Sequence, residues 1–206
     1  MKTIPAILLS VCLCLTAGAE KPNWHASGKG GAVVAENPKA VAAGIELLEK
    51  GGNAADAAVA TMLVASIMDY GMFCIGAEVP FMIYDAEQKE VKTLSGLGRA
   101  PLNRDDIRWY YENAIPVHGG IRAVPVPGAV GLFFDALAVY GTKDFATVVA
   151  PALRILDGGG QDWYDELAAT FRRLLEAEER KEGTRVGQHL RTKARPLALA
   201  TGQIVH

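Results

Sequence analysis

The chain has 206 residues, half of them hydrophobic, with 21 Lys and Arg against 23 Asp and Glu. That length suits one domain or a part of a larger protein. The basic residues are scattered until the carboxyl terminus, so no Lys/Arg stripe exists to hold a nucleic acid, and none is expected as a partner.

Lys2 precedes an apolar run from Ile4 to Leu15, and Ala17-Gly18-Ala19 then supplies the small-x-small pattern of a signal peptidase site. A run of about a dozen residues is too short for a bilayer core of roughly 30 Å. It reads as an export signal of residues 1–19 rather than an anchor or a buried first helix. The polar Glu20-Lys21-Pro22-Asn23 that follows weakens the buried-helix alternative. A soluble protein, secreted or periplasmic and free of the membrane after cleavage, is expected. Cleavage would remove Cys12 and Cys14 and leave Cys74 alone, without a partner for an internal disulfide. Its apolar neighbours predict an inert core thiol.

Gly30 to Glu36 (GGAVVAE) predicts a short buried strand. Asn37-Pro38 then gives an N-cap and a first-turn proline, and Val41, Ile45, Leu47 and Leu48 follow at helical spacing as far as Gly51-Gly52. Asn53 is placed to cap a second helix, Ala54 to about Met68. Asp56 stands three residues after it, as the carboxylate of a capping box and a favourable charge for the helix dipole. Alanines on every face of this helix predict burial within a layer. The polar cluster in KGGNAADAAVA is therefore read as a turn between two packed helices before it is read as catalytic.

Val79 to Asp85 and Glu90 to Ser95, joined by Ala86-Glu87-Gln88-Lys89, predict a β-hairpin, with Pro80 at a strand start or edge. Asn103 to Asn113 predicts a short helix with Asp105 and Asp106 in its first turn, and Val124-Pro-Val-Pro-Gly128 a rigid turn. Helices follow at about 129–140, 144–157 and 162–182, the last two separated by Gly158-Gly159-Gly160. Mixed helices with an antiparallel hairpin point to an α+β fold, an αββα layered sandwich in preference to a doubly wound sheet. Residues 183–206 change character: Arg185, His189, Arg191, Lys193 and Arg195 lack acidic partners and periodicity, as an anion site or as an abnormal terminus would. His25, His118, His189 and His206 show no ligand spacing, and neither a metal nor another cofactor is expected.

The order GGAVVAENPKAVAAGIELLEKGGNAADAAVA, FMIYD, a strand ending in Ala-Pro, VPGAVGL and YGTKDFATVVAPALRIL resembles the amino-terminal part of γ-glutamyltransferases, over roughly residues 30 to 157 and more weakly to Glu182. GGNAADAAVA is the most specific piece. The resemblance implies an N-terminal-nucleophile hydrolase, a precursor that cuts itself into two subunits. Its new amino-terminal threonine attacks the γ-glutamyl amide of glutathione or a related donor, with its own α-amine as base. The glutamyl group then passes to water or to an amino acid.

Two departures stand out. No Thr-Thr-His junction occurs here, so no catalytic residue of the family falls in this chain, which resembles an incomplete large subunit over residues 20–182. The family's Asp-x-Arg-Glu-x-Ala-Pro stretch, whose arginine grips the donor's α-carboxylate, reads Ser95-Gly-Leu-Gly-Arg99-Ala-Pro101. Strict register puts Leu97 where the arginine belongs. Arg99 is two residues on, on the same side of an extended segment and about 7 Å further along. It is either the substrate-binding residue or a surface arginine. The family's glycine-rich turn keeps one glycine in Cys74-Ile-Gly-Ala-Glu-Val-Pro80, and Glu78 would repel a substrate carboxylate if it faced the pocket. Another acylase on the same scaffold and a non-catalytic remnant stand beside the transferase reading.

Overall fold

The computed structural model describes residues 25–117 and 119–179. The export signal, the basic segment 183–206 and the helix end near Glu182 lie outside the described residues. Contacts divide the chain into units at 1–30 and 31–206. Of the first only residues 25–30 are described, and all six are exposed.

The second unit holds six α-helices and one hairpin among its described residues: α1 Pro38–Glu49, α2 Ala54–Met68, β1 Val79–Asp85, β2 Glu90–Gly96, α3 Arg104–Asn113, α4 Ala129–Tyr140, α5 Phe145–Asp157 and α6 Tyr164–Glu179. A single 3-10 turn, Ile121–Ala123, precedes α4. Helix α2 lies at the centre and packs on α1, α4 and α5; α6 covers α5, and the hairpin packs on α4. The centrality of α2 follows from its composition. Alanines among Val59, Leu63, Val64 and Ile67 leave no polar stripe, so the helix is buried on most of its faces.

The predicted caps form. Asn37 Oδ1 accepts from Lys39 N, with Pro38 behind it at the first helical position. Asn53 Oδ1 accepts from Ala55 N and Asp56 N, while Asp56 Oδ2 accepts from Asn53 N at 2.8 Å, completing the capping box. Asn53 does more than cap: its Nδ2 donates to Tyr140 O at 2.6 Å, at the end of α4. Asn53→Ala is therefore expected to cost about 2 kcal/mol, the upper end of the range for an N-cap. Urea denaturation of the chain checks this; an unchanged midpoint would mean that Asn53 is not a structural cap.

Asp56 is fully buried. Besides closing the capping box, it accepts from Thr142 N at 3.0 Å, Thr142 Oγ1 at 2.7 Å and Lys143 N at 3.1 Å. One carboxylate thus joins the start of α2 to the loop between α4 and α5. Gly141 leaves room for it, since a Cβ there would stand 2.8 Å from Asp56 Oδ1 and 2.7 Å from Leu137 O. Elsewhere, Glu46 accepts from Lys50 and pairs with Arg154, tying α1 to α5. The Lys50 hydrogen bond, opposed by partial burial and assisted by Arg154, holds the Glu46 carboxyl below its ordinary range. Its modest contribution is present above the ordinary carboxylate pKa and lost as the pH falls through the lowered one.

The hairpin pairs Val79 with Gly96 through to Asp85 with Glu90, in antiparallel register. Asp85 Oδ1 accepts from Glu87 N and Gln88 N, which turns the four-residue loop, and Lys89 takes a positive φ. Val79, Phe81 and Leu94 face the helices; Pro80, Met82, Tyr84 and Val91 face solvent.

Two expectations fail. Residues 30–36 form no strand: Val33 and Ala35 rest against the core, but Val34 is 93% exposed. The alternation is that of an extended chain, and among the described residues no neighbouring strand supplies the ladder that would make it a buried one. Cys74 is exposed, not a core thiol. It sits on the turn between α2 and β1, beside Met72, which is 87% exposed. Apolar neighbours in sequence bury a thiol only if a second layer covers them, and none of the described residues does so.

Candidate functional site

Strand β2 ends at Gly96, and Leu97 to Pro101 leaves the sheet as irregular chain. Three backbones meet at this exit. Gly128 packs directly on the Gly96 carbonyl: a Cβ on Gly128 would overlap its oxygen and stand 2.5 Å from its carbon. Gly98 is pressed in the same way against Val126, whose Cβ would be 2.8 Å from an added Cβ. The third segment of the crossing is the Ala77-Glu78 dipeptide just before β1. Ala77 O accepts from Gly128 N and Ala129 N, at 3.2 and 3.1 Å, and Glu78 Oε1 accepts from Gly98 N at 2.7 Å. Only glycine permits backbones this close, so the predicted Val-Pro-Val-Pro-Gly turn and the end of β2 are locked together at Gly96, Gly98 and Gly128.

Arg99 grows from this junction. Gly96 is buried and Gly98 half-buried, whereas Leu97 and Arg99 are exposed. The two candidate positions for the arginine therefore share the open side of the segment. No hydrogen bond or ion pair joins Arg99 to another described residue. Among the described residues the guanidinium has no partner.

Glu78 does not stand idle. Its carboxylate latches the amide next to Arg99, a role that the sequence did not reveal because Glu78 and Gly98 are twenty residues apart. The clue was present in the loss of glycines from the turn before β1: a long acidic side chain replaces backbone freedom with a hydrogen bond.

Beyond Pro101, Asn103 caps α3 through Asp105 N. Helix α3 buries none of its residues. It is braced instead by the returning chain: Arg122 stacks 4.3 Å from the Trp109 ring centroid and pairs with Asp106, and Tyr110 donates its hydroxyl to Arg122 O. Leu102, Tyr111, Ile115, Ile121 and Val124 on this arm are exposed.

Several of the described hydroxyls are already engaged within the fold. The Thr61 and Thr170 hydroxyls donate to carbonyls of their own helices, and that of Thr142 is held by Asp56. Cys74 opens onto a separate cleft of about 370 Å3 lined by Tyr70, Ile75, Trp163, Glu166 and Leu167. No basic group lines it, and a thiolate needs one. Among the described residues no three His, Cys, Asp or Glu side chains gather as a metal site would require. Of the four histidines only His25 lies among the described residues, and no described helix is long and apolar enough to cross a membrane.

A family model described as gamma-glutamyltranspeptidase matches residues 40–186. The glutathione hydrolase proenzyme of Bacillus subtilis (strain 168) is 32% identical over 137 residues, which cover 64% of this chain and 23% of that protein. The acylase ACY 1 proenzyme of Pseudomonas sp. (strain SE83) is 32% identical over 152 residues, 65% of this chain and 26% of the relative. The chain thus spans about a quarter of the length of these curated relatives. The gamma-glutamyltranspeptidase of Helicobacter pylori superposes with a TM-score of 0.57 at 28% identity, over 66% of this chain and 40% of that one.

Proposed function

The chain belongs to the gamma-glutamyltranspeptidase family, and on that premise we propose that it forms the donor-gripping portion of an exported glutathione hydrolase or γ-glutamyltransferase. The donor is a γ-glutamyl amide of the glutathione type, and its acyl group passes to water or to an amino acid. Arg99 takes the donor's α-carboxylate. The observation that carries this reading is an exposed guanidinium, without a partner among the described residues, rooted in a close crossing of three backbones. A planar fork held there recognises a carboxylate with two parallel hydrogen bonds.

The nucleophile is supplied from outside these residues, by a catalytic small subunit. The solvent-facing Pro80, Met82, Tyr84 and Val91 support this: in an αββα arrangement they would pack on a second sheet. An acylase with another acyl donor is the second reading. The two-residue displacement of the arginine favours it, as does the similarity to the Pseudomonas acylase.

The deciding experiment extends the reading frame past His206 and asks whether it encodes a Thr-Thr-His junction; a frame without one overturns the enzymatic reading. The 206-residue chain by itself should not turn over a chromogenic γ-glutamyl anilide. Turnover that survives removal of host enzymes would mean that a nucleophile lies between Glu20 and His206.

In the completed enzyme, Arg99→Lys should raise KM for the donor by about tenfold with a smaller change in kcat, because lysine keeps the charge and loses the fork. Equal kinetics would assign Arg99 to the surface.

A further inference from the structure

The cleft of about 370 Å3 onto which Cys74 opens is walled by the end of α2, the turn that follows it and the first two turns of α6. Two tilted rings form its aromatic corner: Tyr70 and Trp163 stand 6.0 Å apart, centroid to centroid, at 57°. Both are fixed by their surroundings. Trp163 meets the buried Tyr164 edge-on at 4.8 Å, and its carbonyl accepts from Leu167 N as α6 begins. Tyr70 lies in the turn that closes α2, where Met72 N and Phe73 N both donate to Asp69 O.

The polar lining is weighted to acceptors. Ser66 Oγ donates to Leu63 O and Thr170 Oγ1 to Glu166 O, so each hydroxyl commits its hydrogen to its own helix and keeps only lone pairs for a ligand. The Glu166 carboxylate is exposed and pairs with no basic group among the described residues. No Lys, Arg or His lines the cleft. An anion would meet only repulsion here, and a neutral apolar molecule would leave the carboxylate unanswered. A cation is attracted by that carboxylate and by the negative faces of both rings.

We propose that this cleft binds a small primary amine, in its ammonium form, carried on an apolar stem. The ammonium is received by Glu166 and the aromatic corner of Tyr70 and Trp163, and the stem rests on Ile75 and Leu167. Three N–H donors suit an acceptor-rich lining better than a quaternary head group, which has none. The volume is near the low end for small-molecule sites and limits the stem to about the size of one aromatic ring. The assignment uses no residue of the Arg99 segment and stands or falls without it.

The test titrates the full chain with phenethylamine and with 2-phenylethanol, which differ only in an ammonium against a hydroxyl. Binding is read from the NMR signal of the Trp163 indole N–H, identified by its absence in Trp163→Phe. At neutral pH the amine should bind roughly tenfold more tightly, the combined effect of an exposed cation–π contact and an exposed ion pair. Glu166→Gln should reduce the ratio to about threefold, the part the rings supply. Asp165→Asn is the control. It removes an equal charge from the same first turn of α6 without lining the cleft, and the tenfold ratio should survive it.

Equal affinities for the two probes, or tighter binding of the alcohol, would make the cleft an apolar groove without charge preference and overturn the proposal. A tenfold ratio unchanged in Glu166→Gln overturns it too, because the carboxylate would then not face the ligand. An equal fall in Asp165→Asn would show that the general field of the helix terminus, and not a contact, sets the preference. A Trp163 signal that moves with neither probe removes the site altogether.

Discussion

Asp56→Ala is expected to cost the fold roughly 3–5 kcal/mol, a large share of the 5–15 kcal/mol that holds a typical domain together. The carboxylate is fully buried and accepts from Asn53 N, Thr142 N, Thr142 Oγ1 and Lys143 N. Alanine would leave three backbone N–H groups facing an apolar gap. A buried donor without a partner costs about 1–3 kcal/mol, less where water enters. The Thr142 hydroxyl can rotate elsewhere and adds little. Asp56→Asn should fall between, because one amide oxygen can still accept while the NH2 group meets donors. Urea midpoints at constant slope would measure the series. A loss below about 1 kcal/mol for Asp56→Ala would mean that water replaces the carboxylate and that Asp56 is not the tie between the two halves of the helical layer.

Gly128→Ala should be nearly as damaging for stability, by about 2–3 kcal/mol, and more damaging for donor binding. The added methyl would strike the Gly96 carbonyl and the Leu97 carbonyl carbon, the latter at 3.2 Å. All of these are backbone atoms, so no side chain can swing aside. The segment that carries Arg99 must shift instead, and a guanidinium displaced by an ångström loses its bidentate geometry. Gly131→Ala supplies the control. Gly131 lies inside α4 with open space around it, and alanine there should stabilise the helix by about 0.5–1 kcal/mol. If both substitutions behave alike, the crossing at Gly96, Gly98 and Gly128 is looser than the geometry requires, and the positioning role assigned to it fails.

The local elements were legible because each is specified by neighbours in the chain. Asn37-Pro38 and Asn53 with Asp56 name the starts of α1 and α2, and the alanine-rich composition of α2 names its burial. The hairpin follows from two strand-forming runs around a polar four-residue link. In each case the cap, the turn or the period lies within a few residues of the element it sets. The family, too, lies in such local words, GGNAADAAVA above all.

What the sequence left undecided are matters of distance along the chain. Residues 30–36 have the composition of a strand, but a strand exists only where a partner offers its ladder. Cys74 has apolar neighbours, yet burial depends on whether another layer arrives from elsewhere. Asp56 was legible as a cap. Its second task, holding Thr142 and Lys143 some 86 residues away, required the fold. The same holds at the candidate site. Arg99 became a candidate through a motif read two residues out of register. That Glu78 latches the amide beside it, and that Gly96, Gly98 and Gly128 cross in contact, was decided by tertiary structure alone. Hydrogen bonds and close backbone contacts between remote segments leave no periodic trace in either segment. The sequence by itself determined the helices, the hairpin and the family; the packing decided that residues 30–36 stay unpaired and which polar groups face one another.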